Sequence, residues 1–156
     1  SESLAALQSP SGLGVVNSMQ VEFGIAINSG SDPVQLLTDG SVVVNEAGLY
    51  RLQVSLQLGR LGASGFSKVF VRVLAGGVQA GRSVGFTLDS SNTVEYTDNN
   101  SWLQLPAGAV ITYEIMRDAA GDNSGGLVQI LPTVEAGSWN PSPTAFVRVE
   151  RLVAGA

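Results

Sequence analysis

The chain has no cysteine and no histidine, and Lys68 is its sole lysine. Without cysteine there is no disulfide, no thiolate nucleophile and no Cys metal site. The absence of histidine removes the usual general base, the Ser-His and Cys-His dyads, and the commonest zinc ligand. No apolar run approaches the roughly 18 residues that a membrane-spanning helix needs, and the opening residues carry no leader pattern. Charge is sparse at 13% of residues, with a net of −5 and seven of the eight basic residues being Arg. No basic patch is visible, which argues against nucleic acid as a partner. What is abundant is apolar side chain, 44% of 156 residues, and glycine, 19 copies. Such a chain is not disordered, and its length suits one domain with a sizeable core. The shortage of Lys beside this much Gly suits an extracellular or particle-borne β protein, reached by a route other than secretion.

The most regular stretch begins at Ala47-Gly48-Leu49. Tyr50, Leu52, Val54, Leu56 and Leu58 alternate with Arg51, Gln53, Ser55 and Gln57, a period of two that sends one set to each face of a strand. The apolar set must wall a core. The polar set is almost free of charge, unlike a face that meets only water, where Lys and Glu dominate. What this face touches is the functional question.

Ahead of it, Leu4 and Leu7 lie at helical spacing after Glu2, and Ser9-Pro10-Ser11-Gly12 would stop a helix. Eight residues cannot hold a helix alone in water, so residues 1–8 are expected to be the end of a longer helix, or else a loose terminus. This divides the chain into a stalk end and linker over 1–19 and a β domain over 20–156. Strand patterns follow at Gln20 to Ile27, Val34 to Leu37, Val42 to Asn45, Tyr50 to Leu58, Phe66 to Ala75, Val78 to Leu88, Thr93 to Thr97, Trp102 to Leu105, Ala109 to Arg117, Leu127 to Pro132 and Ala145 to Val153. Asp39-Gly40, Gly76-Gly77, Asp98-Asn99-Asn100 and Pro106-Ala107-Gly108 read as turns between them. About ten antiparallel strands with no internal helix mean an all-β sandwich or barrel.

Carboxylates are the only serviceable acid–base groups. Glu114 and Asp118 are too close in sequence for a glycosidase pair, and Asp89, Asp98 and Asp122 sit where Asp is an ordinary turn former. No catalytic constellation, cofactor site or metal site is therefore expected. The loop from Asp118 to Gly126 supplies oxygen atoms but lacks the twelve-residue calcium spacing, and reads as an exposed loop. Trp102 and Trp139 are expected to pack inside, with stacking on a sugar ring as the alternative role, above all for Trp139.

Gly48-Leu49-Tyr50 leading a long strand, Leu103-Gln104-Leu105-Pro106-Ala107-Gly108, the strand Thr112 to Arg117, and the aromatic-led strand Phe146 to Leu152 together resemble the TNF-like jelly roll shared by complement-type heads and viral knobs. The likeness spans about Val42 to Leu152. It departs at Ala109, where the family often has Asp, so no role of that Asp carries over. With the helical scrap, the acidic Cys- and His-free composition and the missing leader, the chain resembles the C-terminal knob of the tail needle of short-tailed phages. That family implies a homotrimeric, non-enzymatic knob at the virion's tail tip, attached to the rest of the needle and the tail and portal it plugs, and facing the host envelope. A receptor-binding tail-fibre head or a complement-like recognition domain would carry the same motifs.

The resemblance also implies that the outward side of the long strand packs against neighbouring subunits. Here that means Arg51, Gln53, Ser55 and Gln57, with Phe146, Arg148, Glu150 and Leu152 of the last strand. Three copies of Arg51 and Arg148 near one axis would repel, so either Glu150 and Glu114 or a small anion bound between subunits at Arg51 and Arg148 must neutralise them.

Overall fold

The computed structural model describes residues 2–3, 7–24, 33–60, 65–89, 95–129 and 142–154. Within them the chain forms β1 (Glu2–Ser3), β2 (Leu7–Gln8), a 3-10 turn (Val15–Asn17), β3 (Met19–Gln20), β4 (Val34–Leu36), β5 (Val42–Val44) and β6 (Gly48–Arg60). There follow β7 (Ser67–Ala75), β8 (Val78–Gln79), β9 (Val84–Leu88), β10 (Glu95–Leu105), β11 (Val110–Arg117), β12 (Gly125–Val128) and β13 (Ala145–Ala154). All strand pairings are antiparallel. One sheet runs β1-β13-β6-β12-β2, with β10 on the other edge of β6; the second runs β4-β5-β11-β7-β8, with β3 on β11 and β9 on β7.

Alternation explains how the sheets close on each other. The apolar set of β6, from Tyr50 to Leu58, is buried throughout, and it faces Val69, Val71 and Val73 of β7, Ile111, Tyr113 and Ile115 of β11, and Val42 and Val44 of β5. Each fully buried leucine of this set contributes about 1.5–3 kcal/mol relative to exposure. Tyr50 is buried with its hydroxyl donating to the Glu46 carbonyl at 2.7 Å, which satisfies the one polar atom it carries inward. Phe23 meets Tyr113 edge to face, ring centres 5.8 Å apart.

Four expectations change. Glu2–Ser3 and Leu7–Gln8 are strand, not the end of a helix: they pair with Phe146 and Ala145 of β13 and with Leu127 and Val128 of β12. Eight residues gain little from helical bonds alone, whereas an adjacent sheet edge offers backbone partners at once. Gln8 is buried, donates to the Glu22 carbonyl at 2.9 Å and to Thr144 Oγ1 at 3.0 Å, and accepts from the Glu22 amide, so residues before 20 are tied into the sandwich.

Asp98-Asn99-Asn100 is no turn but the middle of β10, opposite Ser55, Val54 and Gln53 of β6. Asp and Asn disfavour strands intrinsically, yet their side chains find hydrogen-bond partners across the sheet and tertiary pairing prevails. Val78 to Leu88 breaks into two strands at Ala80–Ser83, with Val84 exposed and Leu88 buried. The strand expected from Gln20 onward is paired only at Met19–Gln20, and residues 25–32 lie outside those described.

Candidate functional site

Residues directly opposite each other in an antiparallel pair share a face, so the register defines the outward surface of the β13-β6-β10 sheet. One row is Trp102, Arg51 and Glu150; the next is Asn100, Gln53 and Arg148; a third is Asp98, Ser55 and Phe146. By register Arg51, Gln53, Ser55, Phe146, Arg148 and Glu150 share this face, although Ser55 is itself buried. Arg51 donates through Nε and Nη2 to Asn100 Oδ1 at 3.2 and 3.1 Å. The Gln53 amide donates to both Asp98 carboxylate oxygens at 3.1 and 3.0 Å, and Ser55 Oγ lies 3.2 Å from Asp98 Oδ1.

Two expected members stand apart. Gln57 is buried and donates to the Val128 carbonyl at 2.7 Å and to Ser142 Oγ at 2.9 Å, all in its own chain. Leu152 falls in a bulge between Arg151 and Val153, so the alternation slips by one and Val153, opposite Leu49, takes the outward position. Glu114 belongs to the other sheet, where its carboxylate binds Arg72 at 2.7 Å; it is no counter-charge for Arg51. Trp139 lies outside the described residues.

Sequence reading missed the whole β10 contribution, because Asp98 to Asn100 looked like a turn. It also placed Trp102 inside, whereas the indole is 58% exposed. Among the described side chains of β13, β6 and β10, the charges on this face are Arg51 and Arg148 against Asp98 and Glu150, and the β1 register sets Glu2 opposite Phe146. Arg148 and Glu150 approach to 3.7 Å with both side chains largely in solvent, a contact worth at most about 1 kcal/mol. The far edge of β10 has no partner strand among the described residues.

A second polar cluster closes one end of the sandwich. Arg60, at the end of β6, has a side chain wholly removed from solvent. It donates to Asp122 Oδ2 at 2.6 Å, Ser124 Oγ at 2.9 Å and the Gly65 carbonyl at 2.9 Å. Arg117, at the end of β11, donates to the Gly125 carbonyl, to the Pro10 carbonyl at 2.7 Å and to Asn123 Oδ1 at 2.6 Å. Burial pulls its pKa below the ordinary arginine value, and the Asp122 charge opposes that pull. The loop after β11 is therefore tied down at Asp122 to Gly125, while Ala119, Ala120 and Asn123 are exposed as expected. Asp122, Asn123 and Gly125, three of the oxygen donors that suggested a cation loop, are spent on two guanidinium groups, and no group of three acidic or other metal-ligating residues stands together among the described residues.

This architecture is an all-β, TNF-like jelly-roll sandwich. The TNF-family protein Eiger from S. frugiperda has a similar structure, with a TM-score of 0.50 over 97% of this chain and 96% of that one, at 13% sequence identity. At that identity the likeness concerns the fold alone. No family model and no curated protein matches the chain in sequence.

Proposed function

We propose that the chain is a non-enzymatic, homotrimeric knob at the distal tip of a phage tail needle, which helps to close the portal and to engage the host envelope. The observation that carries the trimer is the outward face of β13-β6-β10. It is balanced in charge, crossed by a hydrogen-bonded row from Gln53 to Asp98, and fringed by exposed Trp102 and Val153. Trp and Arg are among the side chains that most often anchor protein interfaces. Because Asp98 and Glu150 offset Arg51 and Arg148 within each copy, neutralisation by protein carboxylates is favoured over an anion trapped between subunits.

The motif order from Gly48 to Leu152 supports the jelly roll, and the acidic, Cys-free and His-free composition supports the needle; the helical end that also pointed to a needle is strand at residues 2–3 and 7–8. A tail-fibre head or complement-like recognition domain would use the same face in the same way. Sedimentation equilibrium at micromolar concentration should give a mass of three chains, and Trp102→Lys should shift it toward one; a monomeric parent protein defeats the trimer. Gold-labelled antibody against the knob should decorate virions at the tail tip, and particles labelled only elsewhere would defeat the needle reading.

A further inference from the structure

The second sheet carries a feature that the trimer does not use. Between the 3-10 turn and the outward side of β7 and β11 lies a groove of about 190 Å³, lined by Phe70, Arg72, Gln79, Ser83, Glu114 and Met116. This is below the roughly 300–1,000 Å³ of drug-sized sites, and suits a single small ring.

Its two walls differ in chemistry. One is Phe70 with Met116. Phe70 stands opposite Gly85 in the β7–β9 pair, and a Cβ added at Gly85 would lie 2.6 Å from Phe70 Cε1 and 3.1 Å from Cδ1. The ring therefore lies against the Gly85 backbone, in space that any side chain there would need. The other wall is a hydrogen-bonded chain. Arg72 donates through Nε and Nη2 to Glu114 Oε2 at 2.8 and 2.7 Å, and Gln79 Nε2 lies 3.2 Å from Ser83 Oγ. Glu114 Oε1 has no partner among the described residues, and Arg72 Nη1 makes only a long 3.5 Å contact to Gln79.

The Arg72–Glu114 pair cancels in charge, so neither a cation nor an anion is favoured. What the wall presents is a free carboxylate oxygen, a guanidinium, an amide and a hydroxyl, lining the same groove as the Phe70 ring. A pyranose has the matching surface: neighbouring hydroxyls that both donate and accept along one side, and an apolar C–H face to lay on the ring. An apolar ligand would leave Glu114 Oε1 without a partner, and a charged one would disrupt the ion pair.

We propose that this groove is a binding site for one neutral sugar ring. It lies on the opposite sheet from the proposed trimer face and does not depend on it. The test is ligand-observed saturation-transfer NMR on the unmodified protein, with the methyl glycosides of glucose, galactose, rhamnose and N-acetylglucosamine as probes. At least one should receive transfer, with the amide of Gly85 shifting on titration. Phe70→Leu, which keeps apolar volume but removes the π face, should abolish the transfer; Glu114→Gln should weaken binding about tenfold, and Asp118→Ala, outside the groove, should leave it unchanged. Circular dichroism verifies that each variant is folded, and sedimentation reports the oligomer separately. No transfer from any probe at tens of millimolar, or transfer that survives Phe70→Leu in a folded variant, overturns the proposal.

Discussion

Asp122 shows how much can rest on one carboxylate. It partners Arg60, whose guanidinium has no contact with solvent, and removing one member of such a pair leaves an uncompensated buried charge. Asp122→Ala should therefore cost about 3 kcal/mol in urea unfolding, whereas Asp118→Ala, which loses one exposed bond to the Ala120 amide, should cost less than about 1 kcal/mol. A second residue-scale effect concerns alkali. Burial raises the pKa values of Tyr50 and Tyr113, so the fold holds both phenols neutral. A raised pKa gives stability that is whole below the unfolded value near 10 and is lost as pH climbs through the folded value. Melting temperature should thus fall progressively above about pH 10. In Tyr113→Phe that decline should be shallower, checked by thermal melts from pH 8 to 11.5.

At the scale of elements, β6 organises one sheet by having both edges occupied, β10 along one and β13 then β12 along the other. Truncating its fully buried Leu56 to Ala should cost about 2–5 kcal/mol, the range for large-to-small changes in packed cores. The β4–β5 turn depends on Gly40 for two reasons that act together. Its φ is +84°, and a Cβ there would lie 2.7 Å from the Val21 carbonyl oxygen and 2.9 Å from Glu22 Cα. Because those obstacles are backbone, Gly40→Ala should destabilise by more than the roughly 1 kcal/mol of an unfavourable φ alone. Gly76→Ala, with positive φ but open space around it, should lose only that smaller amount; denaturant midpoints of the two variants compare them directly.

For the whole molecule, the two outward faces have different characters. One bears Trp102, Val153 and a neutralised set of charges; the other bears a groove walled by Phe70 and the Arg72–Glu114 pair. If the first face joins subunits, unfolding is linked to dissociation, and the melting temperature should rise with protein concentration. It should become independent of concentration in Trp102→Lys. Differential scanning calorimetry across a hundredfold range of concentration measures both.

The sequence by itself determined the fold class and the inner face of the sandwich, because period-two alternation is a local property that burial rewards wherever the strand ends up. The resemblance to the TNF-like jelly roll, rather than alternation alone, put Arg51, Gln53, Phe146, Arg148 and Glu150 on one outward surface, and the β6–β13 register places them so. Tertiary structure alone decided the rest. Asp98 to Asn100 became strand because Gln53, Ser55 and Arg51 offered partners from 43 to 49 residues away in the chain, and no local propensity encodes such a partner. Residues 2–3 and 7–8 became strand because sheet edges stood open beside them. The bulge at Leu152 moved Val153 outward, and a one-residue slip of register is invisible in composition. Which polar residues stay available to a partner depends likewise on what the chain's own distant segments cover: Gln53 is left half open, while Gln57, four residues on, is closed over by Val128 and Ser142.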